Sequence, residues 1–212
     1  MEEFKKTFSM AVRTLTLVAL PAAVGLGVLS RPIVRIIFEH GRFDAYSTAI
    51  TSSALYFYAF GLLPCCFIKI LVNSFYSMQD TRTPVKIMTF SVALNVILSL
   101  FFMRFLKIGG LALASTLSAT CNASALYYFL RKKIGPVAEK EILGSFLRMS
   151  VAAAGMGAVA FFYDRRVLEV FAGHHRLSQA LYLLLGIALS IVVYFIFTLL
   201  TGVREIRKFF KK

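Results

Sequence analysis

Apolar residues in this chain are gathered into blocks of about 18 to 25 residues, the length an α-helix needs to cross the hydrocarbon core of a bilayer. Short polar stretches separate the blocks. A segment in lipid has no water to satisfy its backbone, so a block of this length reads as a helix bonded within itself. The composition agrees. Of 212 residues, 58% are hydrophobic and 16% charged, where a soluble domain carries roughly 25% charged residues. The expected fold is all-α, a polytopic transmembrane helical bundle.

The pattern predicts six spans, at roughly 11–29, 48–76, 85–103, 111–130, 144–163 and 179–200. After the first, the stretch from Ser30 to Phe43 alternates Ile33, Val34, Ile36 and Ile37 with Arg31, Arg35 and Glu39. That is the pattern of a short helix lying in the membrane interface, with Gly41 placed to end it. Pro21 is expected to make the first span flexible or closely packed, and Gly61 with Pro64 to break or kink the second. In the fifth, two small-xxx-small pairs, Ala153 with Gly157 and Ala154 with Ala158, suit tight helix contact.

The longest polar interruption near the middle of the chain runs from Phe75 to Lys86. Asp80 or Thr83 can cap the helix that follows, and Pro84 suits its first position. Arg82 and Lys86, four residues apart, would leave that helix on one side. The net charge of +14 is concentrated at the ends of the apolar blocks. Most basic residues, among them Lys5, Lys6, Arg82, Lys86, Arg131, Lys132, Lys133 and the tail from Arg204, fall on the side shared by both termini. By the positive-inside rule both termini and the central turn are cytoplasmic. Charges so placed suit an anionic leaflet, and no aromatic-plus-basic surface motif points to nucleic acid. The partly acidic start, Met1 to Lys6, has no small-residue cleavage site after the first block, so no cleaved signal peptide is expected. Cys65, Cys66 and Cys121 lie inside apolar blocks and read as small hydrophobes without disulfide or metal spacing.

Catalysis has little to stand on. The ten acidic residues are scattered and none falls in a span. His174 and His175 are adjacent and would diverge on a helix, while His40 is isolated. Neither a glycine-rich phosphate loop nor a nucleophile elbow is present, and no enzyme is expected. Lys69 is the only charge clearly inside a span, away from its ends. Either its ammonium snorkels to the interface, or it faces a water-filled cavity and attracts an anionic substrate. Asn95, Ser99, Ser115 and Asn122 read in two ways: as interhelical hydrogen-bonding groups, or as oxygen ligands for a small hard cation such as Na⁺.

The stretch from Phe75 through Val85 resembles the FYs–DTrTPv turn of the MurJ/MviN family of lipid II flippases. Three further segments agree in order: Leu20-Pro21-Ala22 with its LPaa helix entry, Phe38 to Phe43 with its F-x-x-G-x-F segment, and Gly109 to Ala123 with its GGLALAtsls…NA helix. The resemblance implies a flippase that moves the lipid-linked peptidoglycan precursor (lipid II) across the bacterial cytoplasmic, or inner, membrane by alternating access. It implies a place among the multidrug/oligosaccharidyl-lipid/polysaccharide exporters, two six-helix lobes around a cavity. By register the chain matches the last six of the family's fourteen helices. Residues 1–135 correspond to four helices of the second lobe. Residues 136–212 correspond to two C-terminal extra helices forming a lipid-tail groove, with a basic cytoplasmic tail. The first lobe, including the arginines the family places for the substrate's pyrophosphate, lies outside the match, to be supplied in the same or a separate chain.

Residue by residue, the resemblance places Lys69 at a basic cavity position for the substrate head group; Asp80, Arg82 and Lys86, at the central turn, are expected to shape a cytoplasmic gate. Asn95, Ser99, the Leu111 carbonyl and Ser115 fall where some members bind Na⁺ as a coupling ion, although the acidic ligand common at the Ser99 position is missing. Otherwise no cofactor is implied; the partners are lipid II and membrane lipids. Two other readings stay open: another polysaccharide-lipid flippase of the same superfamily, and a truncated, non-transporting membrane partner subunit. A membrane glycosyltransferase would need loop carboxylate pairs that the sequence does not offer.

Overall fold

The computed structural model describes residues 2–137, 139–168 and 176–200, and every regular element among them is helical. The histidine pair at 174 and 175 and the basic tail lie outside the described residues. In chain order the elements are α1 (Glu2–Val28), α2 (Ser30–Phe38), α3 (Ala45–Ser77), α4 (Arg82–Ile134), α5 (Glu139–Tyr163), a π turn (Asp164–Leu168) and α6 (Arg176–Leu200). All except α2 and the π turn are long and apolar enough to cross a membrane. Helix α1 begins at Glu2, well before the first expected span.

Local chemistry sets the ends. Asp44 has extended backbone angles and accepts the Ser47 amide at 2.8 Å, starting α3. Gly41 takes φ +61° in the turn before it, and the Phe38 and Phe43 rings pack on each other across that turn, 6.0 Å apart. On α2, Pro32 and Val34 are buried, while Ile37 and Phe38 stay about half exposed beside Arg31 and Arg35. Of the break or kink expected in α3, no break occurs: the helix is continuous through Gly61 and Pro64.

At 53 residues, α4 drawn straight would be about 80 Å long, more than twice the hydrocarbon thickness. It turns back instead at Lys107, whose φ of 51° and ψ of −127° leave the helical region. The turn expected over residues 104–110 shrinks to this one residue. Ser91 Oγ donates to the Ser118 carbonyl and Ser118 Oγ to the Ser91 carbonyl, both at 3.0 Å, so the two halves lie antiparallel. A sparsely populated backbone conformation of this kind at a non-glycine residue costs roughly 1–3 kcal/mol. Lys107 is held there by Tyr46, whose hydroxyl accepts from Nζ at 2.8 Å and whose ring centre lies 5.5 Å away.

Helix α1 joins two packing units. Its first half places Phe8 and Val12 against Leu71 and Phe75 of α3 and Leu126 and Leu130 of α4. Its second half places Leu17 and Leu20 against Met149, Ala153 and Met156 of α5 and Tyr194 of α6. Pro21 lacks an amide hydrogen, so the Leu17 carbonyl four residues back loses its helical donor. Tyr194 replaces that donor: its buried hydroxyl donates to the Leu17 carbonyl at 2.9 Å.

Two glycines permit close crossings. A Cβ on Gly61 would lie 2.7 Å from Thr116 Oγ1, which donates to the Phe57 carbonyl at 2.8 Å and ties α4 to α3. A Cβ on Gly157 would lie 2.8 Å from Val24 of α1. Of the two small-residue pairs on α5, Ala153 with Gly157 is therefore the buried one, and Ala154 with Ala158 faces outward.

Tyr194→Phe leaves the Leu17 carbonyl buried without a donor. A loss of about 1–3 kcal/mol follows, read as a lower thermal midpoint in detergent; an unchanged midpoint would refute the replacement role. Gly61→Val is expected to lower the midpoint well beyond Ala154→Val, because only the first forces a helix crossing apart; equal effects would contradict the assigned crossing.

Candidate functional site

The central turn is built from the end of α3 outward. The Gln79 amide donates to the Tyr76 carbonyl at 2.9 Å and the Asp80 amide to the Phe75 carbonyl at 3.0 Å, with Gln79 left-handed at φ 58°. This is a Schellman closure, and it aims the Asp80 side chain at the helix that follows. Asp80 Oδ1 accepts the Thr83 amide at 3.1 Å. Of the two candidate caps, Asp80 is thus the one used. Helix α4 begins at Arg82, so Thr83 lies inside it and Pro84 takes its third position, where an amide hydrogen has no helical acceptor.

Asp80 also pairs through Oδ2 with Lys133, near the other end of α4. The Lys133 ammonium lies 5.7 Å above the ring of Phe75, which is completely buried. Hydrogen bonds from Lys133 and Thr83 hold the Asp80 carboxyl below its usual range. Arg82 and Lys86 are exposed and form no ion pair with a described residue. The structure therefore brings one of the three expected gate residues into a contact, with a partner that sequence reading did not single out. A usable signal existed: a helical hairpin returns the Arg131–Lys133 run to the end where Asp80 lies.

Lys69 is exposed on α3 and makes no ion pair with a described residue. Tyr58, Cys65, Asn73 and Tyr76 are exposed too, at spacings that put all five on one face. Tyr56 and Phe60 are exposed on the opposite face. One side of an apolar helix thus carries a polar stripe, and an ammonium in that position calls for water or a polar partner.

Asn95, Ser99 and Ser115 meet within the α4 hairpin. Ser99 Oγ donates to Asn95 Oδ1 at 3.4 Å, and Asn95 Nδ2 donates to Ser115 Oγ at 3.3 Å. Leu111 is exposed and joins no side-chain bond in this set. Asn122, on the same face as Ser115 and Ser118, is buried with Oδ1 unpartnered among the described residues. The three linked groups are neutral, spend their polar atoms on one another and include no carboxylate. That donor set fits bonding between the two halves of the hairpin and does not fit a Na⁺ ion.

Two grooves are seen among the described residues. One, of about 430 Å³, lies mainly between α1 and α6, with Met156 of α5 and the Tyr194–Leu17 contact in its wall. Its lining is nearly all apolar. The other, of about 520 Å³, opens between α5 on one side and α3 and α4 on the other.

A protein-family model described as lipid II flippase MurJ matches residues 1–181. A probable lipid II flippase MurJ of Haemophilus influenzae is 34% identical over 203 residues, covering 96% of this chain and 39% of that protein. Its counterpart in Vibrio cholerae is 32% identical over 203 residues, covering 95% and 38%. A solved structure of lipid II flippase MurJ in an inward closed conformation superposes with a TM-score of 0.76 at 27% identity, over 92% of this chain and 38% of that one. The chain spans about two-fifths of the length of the curated relatives it matches.

The Asp80–Lys133 pair makes stability depend on pH in one direction. A carboxyl lowered by folding stabilises fully above its unfolded value, near about 3.9, and that contribution is lost as pH falls through the folded value. Asp80→Asn should lower the thermal midpoint at pH 7, with the gap from the parent protein narrowing only below about pH 4. A gap that closes near pH 6, or none at all, would contradict the pair.

Proposed function

The chain belongs to the lipid II flippase MurJ family, and from that we propose that it forms the C-terminal part of a flippase moving lipid-linked peptidoglycan precursor across the membrane. The match over residues 1–181, together with the superposition on a solved flippase, carries this reading. It is a multi-pass protein of the bacterial inner membrane, in a family of transporters rather than catalysts of bond chemistry. Transport would proceed by alternating access, without a catalytic residue in this chain.

The exposed stripe on α3 supplies one wall of the head-group path, with the Lys69 ammonium attracting the anionic head group of the substrate. The tail groove expected of the two C-terminal helices is supplied by α6 with Met156 of α5, walled against α1; it offers no charged group and almost no polar surface, which suits the substrate's hydrocarbon tail. Asp80, Arg82 and Lys86 shape the cytoplasmic gate, Asp80 through its hold on Lys133 and the two cations by their charge at the turn. Relatives are about 2.5 times as long, which supports a further lobe, in the same or a separate chain, closing the cavity opposite α3.

Lys69→Ala in the complete transporter should cut lipid II export at least tenfold, the equivalent of about 1.4 kcal/mol, with membrane insertion unchanged. Export is read by extracellular modification of lipid II in cells depleted of other flippases. Undiminished export would remove the role given to Lys69.

A further inference from the structure

Helix α5 follows α4 closely in the chain yet packs on α1 and α6. The space this leaves is the groove of about 520 Å³, walled by Leu63, Phe67, Ala123, Ile142, Leu143 and Phe146. Three hydroxyls in the same wall, on Thr16, Thr120 and Ser124, each donate at 2.8 Å to the carbonyl four residues back in their own helix. The wall therefore offers water few free donors. Left empty, its side chains would lose their dispersion contacts. A groove of this kind, open sideways in a bilayer, takes hydrocarbon.

One end of the groove is different in character. Glu139 Oε1 accepts from the Tyr127 hydroxyl at 3.0 Å and pairs with Arg131 Nε at 3.0 Å. Glu139 and Tyr127 thus fix Arg131 at the mouth, where its side chain is still 53% exposed. Lys132 and Lys140 are exposed at the same end, and the Lys5 ammonium lies against Gly135. Hydrocarbon walls closed by a positioned guanidinium amid further cations are complementary to an acyl chain joined to a phosphate.

We propose that this groove is a binding site for an anionic glycerophospholipid, one acyl chain lying along α5 and the phosphate on Arg131. The site is separate from the polar stripe on α3 and from the groove between α1 and α6, and it does not depend on what the transporter carries. Its occupant fills the gap between α5 and α4 and so steadies the last two helices against the rest of the bundle.

Native mass spectrometry of the purified protein, mixed with phosphatidylglycerol and phosphatidylcholine in equal amounts, tests this. The expected result is preferential retention of phosphatidylglycerol. Arg131→Gln should reduce that preference about fivefold, the effect of one basic residue near an anionic lipid, while phosphatidylcholine retention stays the same. Arg131→Lys should keep most of the preference, which separates lost charge from lost folding; helicity is checked by circular dichroism. Ser124→Phe, which fills the groove, should reduce retention of both lipids. Arg148→Gln removes the same charge from the side of α5 away from Phe146 and should change nothing. Full preference in Arg131→Gln, an equal loss in Arg148→Gln, or unchanged retention in Ser124→Phe would overturn the proposal.

Discussion

The rest of the bundle depends on one replaced hydrogen bond. Pro21 removes the donor that the Leu17 carbonyl would have had, and in an apolar surrounding that carbonyl cannot turn to water. The Tyr194 hydroxyl reaches it from α6. Because the carbonyl lies midway along α1, the bond pins α6 beside the helix that joins the two packing units. The same bond lies in the wall of the groove between α1 and α6, which Met156 and Phe195 also line.

The same rule governs the α4 hairpin. Its two halves are joined by reciprocal serine-to-carbonyl bonds and by a neutral chain from Ser99 through Asn95 to Ser115. At one tip the strain of Lys107 is held by Tyr46; at the other, Asp80 ties the start of α4 to its end through Lys133. The hairpin is therefore closed at both ends by a lysine. Neither closure is hydrophobic. Each is a polar contact at a tip of the hairpin, made outside the apolar core.

Much of this was legible in the sequence, for physical reasons. Block length and turn chemistry are local properties, so the helices, the central turn and the short helix α2 could be read from spacing alone. The capping role of Asp80 was legible as one of two choices. Pairings between distant segments were not. Nothing local distinguishes the Ala153–Gly157 stripe from Ala154–Ala158; only the arrival of Val24 from α1 does. Lys133 looked like one cation in a run of three, and Tyr194 like one aromatic in an apolar block. In retrospect Pro21 gave a pointer to Tyr194, since a proline inside a membrane helix leaves a carbonyl that some neighbour has to satisfy. Lys107 gave less warning, because a tight hairpin next to Gly109 and Gly110 would be expected to place a glycine at the left-handed position.

The central claim is that this chain performs the part of a lipid II flippase to which it corresponds. The most direct measurement replaces the matching C-terminal segment of the Haemophilus influenzae relative with this chain and asks whether the chimera supports growth when the cell's own flippase is depleted. The account predicts growth, with lipid II accessible on the outer face of the membrane. A chimera that inserts stably and leaves lipid II confined to the inner leaflet would contradict it.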